Sequence, residues 1–97
     1  MGRPTKTRII RKEPLVKQFS PRGKRGRPGY VVLKLEGFEA IRLSDHLGLD
    51  QLESAKFMGI SQQTFSRVLA NGRRRVAGAL VKGLIIRVSG GDFRIEK

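Results

Sequence analysis

The 97-residue chain has no cysteine, no tryptophan, one tyrosine and one histidine. Without thiols there is no disulfide framework, no thiolate metal site and no cysteine nucleophile. His46 alone leaves a zinc site short of ligands. No apolar run approaches the roughly 18 residues of a bilayer span, and no signal-peptide apolar stretch follows the basic N-terminus. The expected location is therefore the cytoplasm, beside the chromosome in a prokaryote. Acids are scarce too: 8 Asp and Glu stand against 21 Lys and Arg, a formal charge of +13. So large a surplus on one small domain points to a polyanionic partner, most simply nucleic acid. Among nucleic acids RNA is disfavoured, because only five Phe and one Tyr are present and three of them, Phe38, Phe65 and Phe93, have the spacing of core residues, leaving few platforms for stacking bases.

The charge is unevenly placed. Residues 1–30 carry ten basic residues and one acid, residues 31–53 two and five, and residues 54–97 nine and two. A nucleic-acid packing protein would be basic throughout, whereas here an acidic middle separates two basic ends. The acids of that middle, Glu36, Glu39, Asp45, Asp50 and Glu53, fall at expected helix starts and solvent faces. They do not assemble a nucleophile, base or metal set, so no enzyme, catalytic residue, cofactor or metal site is expected.

Residues 1–29 contain all four prolines and no helical apolar period. They read as a basic arm, part of it extended along the domain of residues 30–97, since Ile9, Ile10, Leu15, Val16 and Phe19 are too apolar for a free tail. Near its end, Arg25 and Arg27 within Lys-Arg-Gly-Arg-Pro-Gly have the form of an AT-hook, which enters a narrow minor groove. A solvated turn before a strand is the plainer reading.

Residues 30–35, YVVLKL, have the alternation of a short strand. A helix is expected over 36–46 with Phe38, Ile41 and Leu43 inward, Glu36 and Glu39 in its first turn, and Gly48 as its stop. Asp50 is placed to cap a second helix over 51–58 that buries Leu52 and Ala55. Ala55 and Gly59, four apart, have the spacing of a helix-turn-helix, with a small residue at the crossing and glycine in the turn. Ser61 then caps a third helix. Asn71-Gly72 looks like a stop, yet apolar positions 65, 68, 69, 72, 76, 77, 80 and 81 hold one helical register through it. The helix is therefore expected to run to about Val81, with Gly72 allowing close packing or a bend and Gly83 as its C-cap. Residues 83–97 read as a β-hairpin around Ser-Gly-Gly-Asp, with Ile86, Val88, Phe93 and Ile95 inward. The fold class is mainly α: a three-helix, helix-turn-helix core with a short N-terminal strand and a C-terminal hairpin.

A helix entering the major groove shows base edges the residues near its N-terminus. Here these are Gln62, Gln63, Ser66 and Arg67. Glutamine pairs with adenine and arginine with guanine. Gln51, Lys56, Ser61 and Thr64, with Arg73, Arg74 and Arg75 further along, suit phosphate. The alternative for the three arginines is a solvated charge run, one of them pairing with Glu36 or Glu39.

The stretches EGFEAIRLSDHLGL, ESAKFMGISQQTFSRVLANGRRRVAGALVKG and SGGDF resemble the prokaryotic family called domain of unknown function 134. The family pattern falls on Glu39 to Asp45, Ala55 to Phe65 and Arg73 to Val81, and Arg3-Pro4 and Phe19-Ser20-Pro21 of the arm fit it as well. The resemblance implies a helix-turn-helix like that of the promoter-reading region of sigma factors, and a role in transcription. Gly72 departs from the pattern, which has alanine there more often. Some relatives resemble a fusion to a domain of the kind that carries the iron-molybdenum cofactor of nitrogenase. This chain carries none, so sensing is expected to need a separate sensor or polymerase partner. The expected function is sequence-specific binding of double-stranded DNA by a homodimer. The alternatives are a protein-interaction module docking on the transcription machinery and an RNA-binding accessory protein.

Overall fold

The computed structural model describes residues 7–23, 26–91 and 93–96. In chain order they form β1 (Arg8–Ile10), β2 (Gln18–Phe19), β3 (Tyr30–Leu33), α1 (Leu35–Ile41), a π-helical turn (Arg42–His46), α2 (Gln51–Met58), α3 (Gln62–Lys82), β4 (Ile85–Val88) and β5 (Phe93–Ile95). The class is the expected one, mainly helical around a helix-turn-helix. The turn that closes α1 is wider than an α-turn, since the Leu47 N–H donates to Arg42 O five residues back, at 2.9 Å.

β4 is the centre of a three-stranded sheet, antiparallel to β2 and parallel to β3. β1 and β5 form a separate parallel pair. Strands β4 and β5 do flank the Ser-Gly-Gly-Asp segment, but their ladders run to N-terminal strands. The reason lies in the crossover. Parallel partners need a connection of a dozen or more residues, and the three helices supply it, returning β4 beside β3. The chain then leaves β4 past the start of α1, where the Leu35 N–H donates to Gly90 O at 3.1 Å.

Two apolar clusters fill the interior. One joins Ala40, Leu43, Ala55, Met58, Phe65, Val68 and Leu69 beneath the helix-turn-helix. The other joins Ile10, Leu33, Leu35 and Val88, flanked by Phe38, Ile41, Val76, Ile86 and Phe93. The arm thus supplies a fully buried residue, Ile10, as well as two strands.

Helices α1 and α3 cross at two glycines. A Cβ on Gly72 would stand 3.2 Å from both Cα and O of Gly37. Gly72 therefore keeps α3 continuous and close-packed; it is a crossing point.

Four expected placements differ. Leu52 is 53% exposed, and α2 buries Ser54 beside Ala55 and Met58; small residues sit where α2 meets its neighbours closely. Ile95 shares a face of β5 with Phe93 but, at the end of this three-residue strand, is 40% exposed. Beyond Val76 the third helix passes the end of the α1–α2 core, so Ala79 is its buried residue there and Leu80 and Val81 are 76% and 85% exposed. Glu39 is not on a solvent face: it is fully buried. Its carboxylate accepts from Arg42 Nε at 2.7 Å, Arg42 Nη2 at 2.9 Å and the backbone N–H of Arg11 at 2.8 Å. These bonds hold the Arg42 guanidinium in its charged form, raising its pKa further, chiefly through the side-chain hydrogen bond.

Candidate nucleic-acid interface

The helix-turn-helix is built from local signals. The Asp50 side chain caps α2 by accepting from the Glu53 N–H at 2.8 Å. Gly59 ends α2 in the left-handed region, φ 66°, a conformation that disfavours any side chain. Ser61 opens α3, its Oγ accepting from the Thr64 N–H at 3.1 Å and donating to Thr64 Oγ1 at 2.9 Å. Ser61 is thus committed as a cap, so what it offers a phosphate is mainly the helix end it organises. There the N–H groups of Gln62 and Gln63 precede the first intrahelical bond, Phe65 N–H to Ser61 O.

Phe65, Val68 and Leu69 fix which way the helix faces, because all three are buried. Gln62, Gln63, Ser66 and Arg67 consequently stand on the exposed surface together. Lys56 is exposed on α2, while Gln51 and Thr64 are half-buried at the starts of their helices.

The three arginines divide. Arg73 is bound to Asp45, Nη2 to Oδ1 at 2.6 Å and Nε to Oδ2 at 3.0 Å. Its carboxylate partner is thus Asp45, in the π-helical turn, and neither Glu36 nor Glu39. The hydrogen bond from Arg73 holds the Asp45 carboxyl below the usual aspartate range. Arg74 and Arg75 make no ion pair among the described residues. They lie along the opposite flank of α3, where two adjoining clefts of about 270 and 320 Å³ share Asn71 and Arg75. Arg67 and Lys34 line the first cleft together with the acid Glu36, and Arg74 and Lys82 line the second. A basic flank therefore starts beside Arg67 and follows α3 towards its C-terminus. Lys34 and Asn71 are additions to it: Asn71 lies between Arg67 and Arg75 at helical spacing, whereas Lys34 comes from the junction of β3 and α1, which no spacing along the chain places beside α3.

Arg25 lies outside the described residues. Arg27 is exposed just before β3. Since Gly29 O accepts from the Ile85 N–H at 2.9 Å, Arg27 enters beside the C-terminal end of α3. The structure does not bring it to the Gln62–Arg67 face, from which it is separated by most of the length of α3, roughly 1.5 Å per residue.

The front of the arm braces the helix-turn-helix. A Cβ on Gly59 would meet Ile9 Cδ1 at 3.0 Å, so Ile9 rests on the turn itself. Arg11 donates from Nε to Phe57 O at 3.1 Å and lies 5.8 Å from the Phe57 ring centroid. With its N–H on Glu39, Arg11 ties the arm to α1 and α2 at once. Among the described residues no group of three His, Cys, Asp or Glu is placed to hold a metal, and no helix is long and apolar enough to cross a membrane.

These elements define a small helix-turn-helix domain with a braced turn and one basic flank. The chain belongs to the family described as "Protein of unknown function DUF134", whose model matches residues 1–96. A UPF0251 protein of Thermoanaerobacter pseudethanolicus is 46% identical over 96 residues, covering 98% of this chain and 81% of that protein. A UPF0251 protein of Methanothermobacter thermautotrophicus is 45% identical over 97 residues, covering all of this chain and 51% of its own longer one. No solved structure matches the chain.

Proposed function

We propose that the chain is a sequence-specific double-stranded DNA-binding protein of the nucleoid and cytoplasm, regulating transcription as a homodimer. The observation that carries this reading is the two-sidedness of α3. One side is locked by Phe65, Val68 and Leu69, and the other presents Gln62, Gln63, Ser66 and Arg67 at the end where a recognition helix meets bases. Arg74 and Arg75 neutralise phosphates along the flank, joined by Lys34. Two copies are invoked because a single reading helix covers too few bases for useful specificity.

Selection of bound duplexes from a random pool tests the reading. An enriched motif is expected. Arg67→Ala or Gln63→Ala is then expected to lose about 1–3 kcal/mol of discrimination at particular base pairs, whereas Arg75→Ala weakens all duplexes alike. Failure to enrich any motif, with all three substitutions equal on selected and random duplexes, would refute base reading and leave the interaction-module alternative.

A further inference from the structure

On the other side of the molecule the arm passes the end of α1 and leaves an apolar groove of about 480 Å³. Phe38 and Ile41 of α1 form its base, and Leu15, Val16, Phe19 and Leu47 its walls. Leu15 is 92% exposed, Leu47 51%, Phe19 54% and Val16 49%. Four large apolar side chains standing in water around one groove mark an interaction surface.

The charges say what fits there. Around the groove the signs cancel: Arg42 is held by Glu39, Arg73 by Asp45 next to His46, and Lys12 stands beside Glu13. In a chain of net charge +13, a second copy is repelled by the basic flank and by most of the remaining surface, and this face is where that repulsion is absent. Lys12 and Glu13 also make no ion pair with other described residues. Adjacent unpaired charges of opposite sign are self-complementary about a two-fold axis, Lys12 of one protomer facing Glu13 of its partner and the reverse.

We propose that this groove is the surface through which two copies of the chain pair. The proposal deepens the homodimer part of the function proposed above and rests on it. Leu15 and Leu47 close over the partner's copies of the same groove, and the Lys12–Glu13 pairs set the two-fold register.

Sedimentation velocity of the full chain over a range of concentrations is the test. The unaltered protein is expected to sediment as a dimer, at twice the 10.9 kDa chain mass. Leu15→Glu and Leu47→Glu are expected to weaken pairing by more than about tenfold, with melting curves unchanged at concentrations low enough for every form to be monomeric, because neither side chain belongs to the buried core. Lys12→Glu alone is expected to weaken pairing, by placing Glu opposite Glu, and Lys12→Glu with Glu13→Lys to restore it. A monomer at every concentration, or a dimer indifferent to both leucine changes, overturns the proposal; failure of the double exchange to restore pairing overturns the two-fold register. A monomer that still enriches a DNA motif leaves base reading standing while this proposal falls. A groove-dependent dimer that enriches none does the reverse.

Discussion

Substituting Gly72 and Gly78 by alanine, one at a time, places the same change in the same helix in opposite surroundings. In a helix interior the exchange gains about 1 kcal/mol of propensity. At Gly78 the new Cβ would have nothing within 4 Å. The full gain is expected, which for a domain of this size raises the melting temperature by roughly 4–8 °C. At Gly72 the Cβ would press on Gly37 Cα and O at 3.2 Å and Ile41 Cδ1 at 3.3 Å. The isoleucine methyl can turn aside. The Gly37 backbone cannot, because it lies inside α1, and a Cβ on Gly37 itself would already stand 3.1 Å from Leu33 Cδ1. Overpacking of this kind costs about 1–3 kcal/mol, so net of the propensity gain Gly72→Ala is expected to destabilise by up to about 2 kcal/mol. Circular-dichroism melting with urea titration reads both changes. If Gly72→Ala stabilised as much as Gly78→Ala, the α1–α3 crossing would be looser than these contacts require.

Glu39→Ala leaves Arg42 half-buried without its carboxylate and unpins Arg11, and is expected to cost about 3 kcal/mol in urea unfolding; a loss under about 1 kcal/mol would sink the clamp described for the arm. The Asp45 pKa is depressed in the folded state, so what its pair with Arg73 contributes is present above the ordinary aspartate pKa and fades as pH falls through the lowered one. Asp45→Asn should therefore lower the melting temperature slightly at neutral pH, converge with the unaltered chain at low pH, and so flatten the low-pH side of the profile. In DNA titrations at several salt concentrations, Arg75→Ala should reduce the slope of log affinity against log salt by about 1, and Arg73→Ala by much less, since Arg73 is already neutralised by Asp45. Asp45→Asn should steepen the same slope by freeing Arg73.

What was legible in the sequence is what a few neighbouring residues decide. Asp50, Gly59, Ser61 and Gly83 mark the helix ends because a cap bonds to a backbone group within one turn. The run of α3 through Gly72 was legible because register is periodic, whereas the pairing of Gly72 with Gly37 required knowing which helix crosses which. Glu39 illustrates the limit. By spacing it is a first-turn acid, and its burial depends on Arg11, 28 residues earlier. The same applies to Asp45 and Arg73, also 28 apart. β4 was legible as a strand; that its neighbours are β2 and β3 follows from a crossover that no local pattern records. The face carrying Gln62, Gln63, Ser66 and Arg67 was legible because the opposite face is apolar, and the part that Lys34 adds to the flank was not, because Lys34 belongs to the junction of β3 and α1 and meets α3 only in the folded chain.

Helix α3 connects these surfaces physically. Its basic flank faces β3, and its other flank carries Arg73, bound to the π-helical turn whose last residue, His46, lines the apolar groove. A partner seated in that groove would rest on α1, the helix against which α3 is packed glycine to glycine. Tightly packed elements move as units, so pairing at the groove would fix the direction in which each α3 points. Two chains related by a two-fold axis must then read DNA in opposite senses. The selected site should be an inverted repeat, with half-sites separated by the distance between the two α3 N-termini, near one helical turn of DNA or a multiple of it. A direct repeat would mean that the two reading helices are related head to tail and not by a two-fold axis, and a single unrepeated half-site would mean that one chain reads DNA alone.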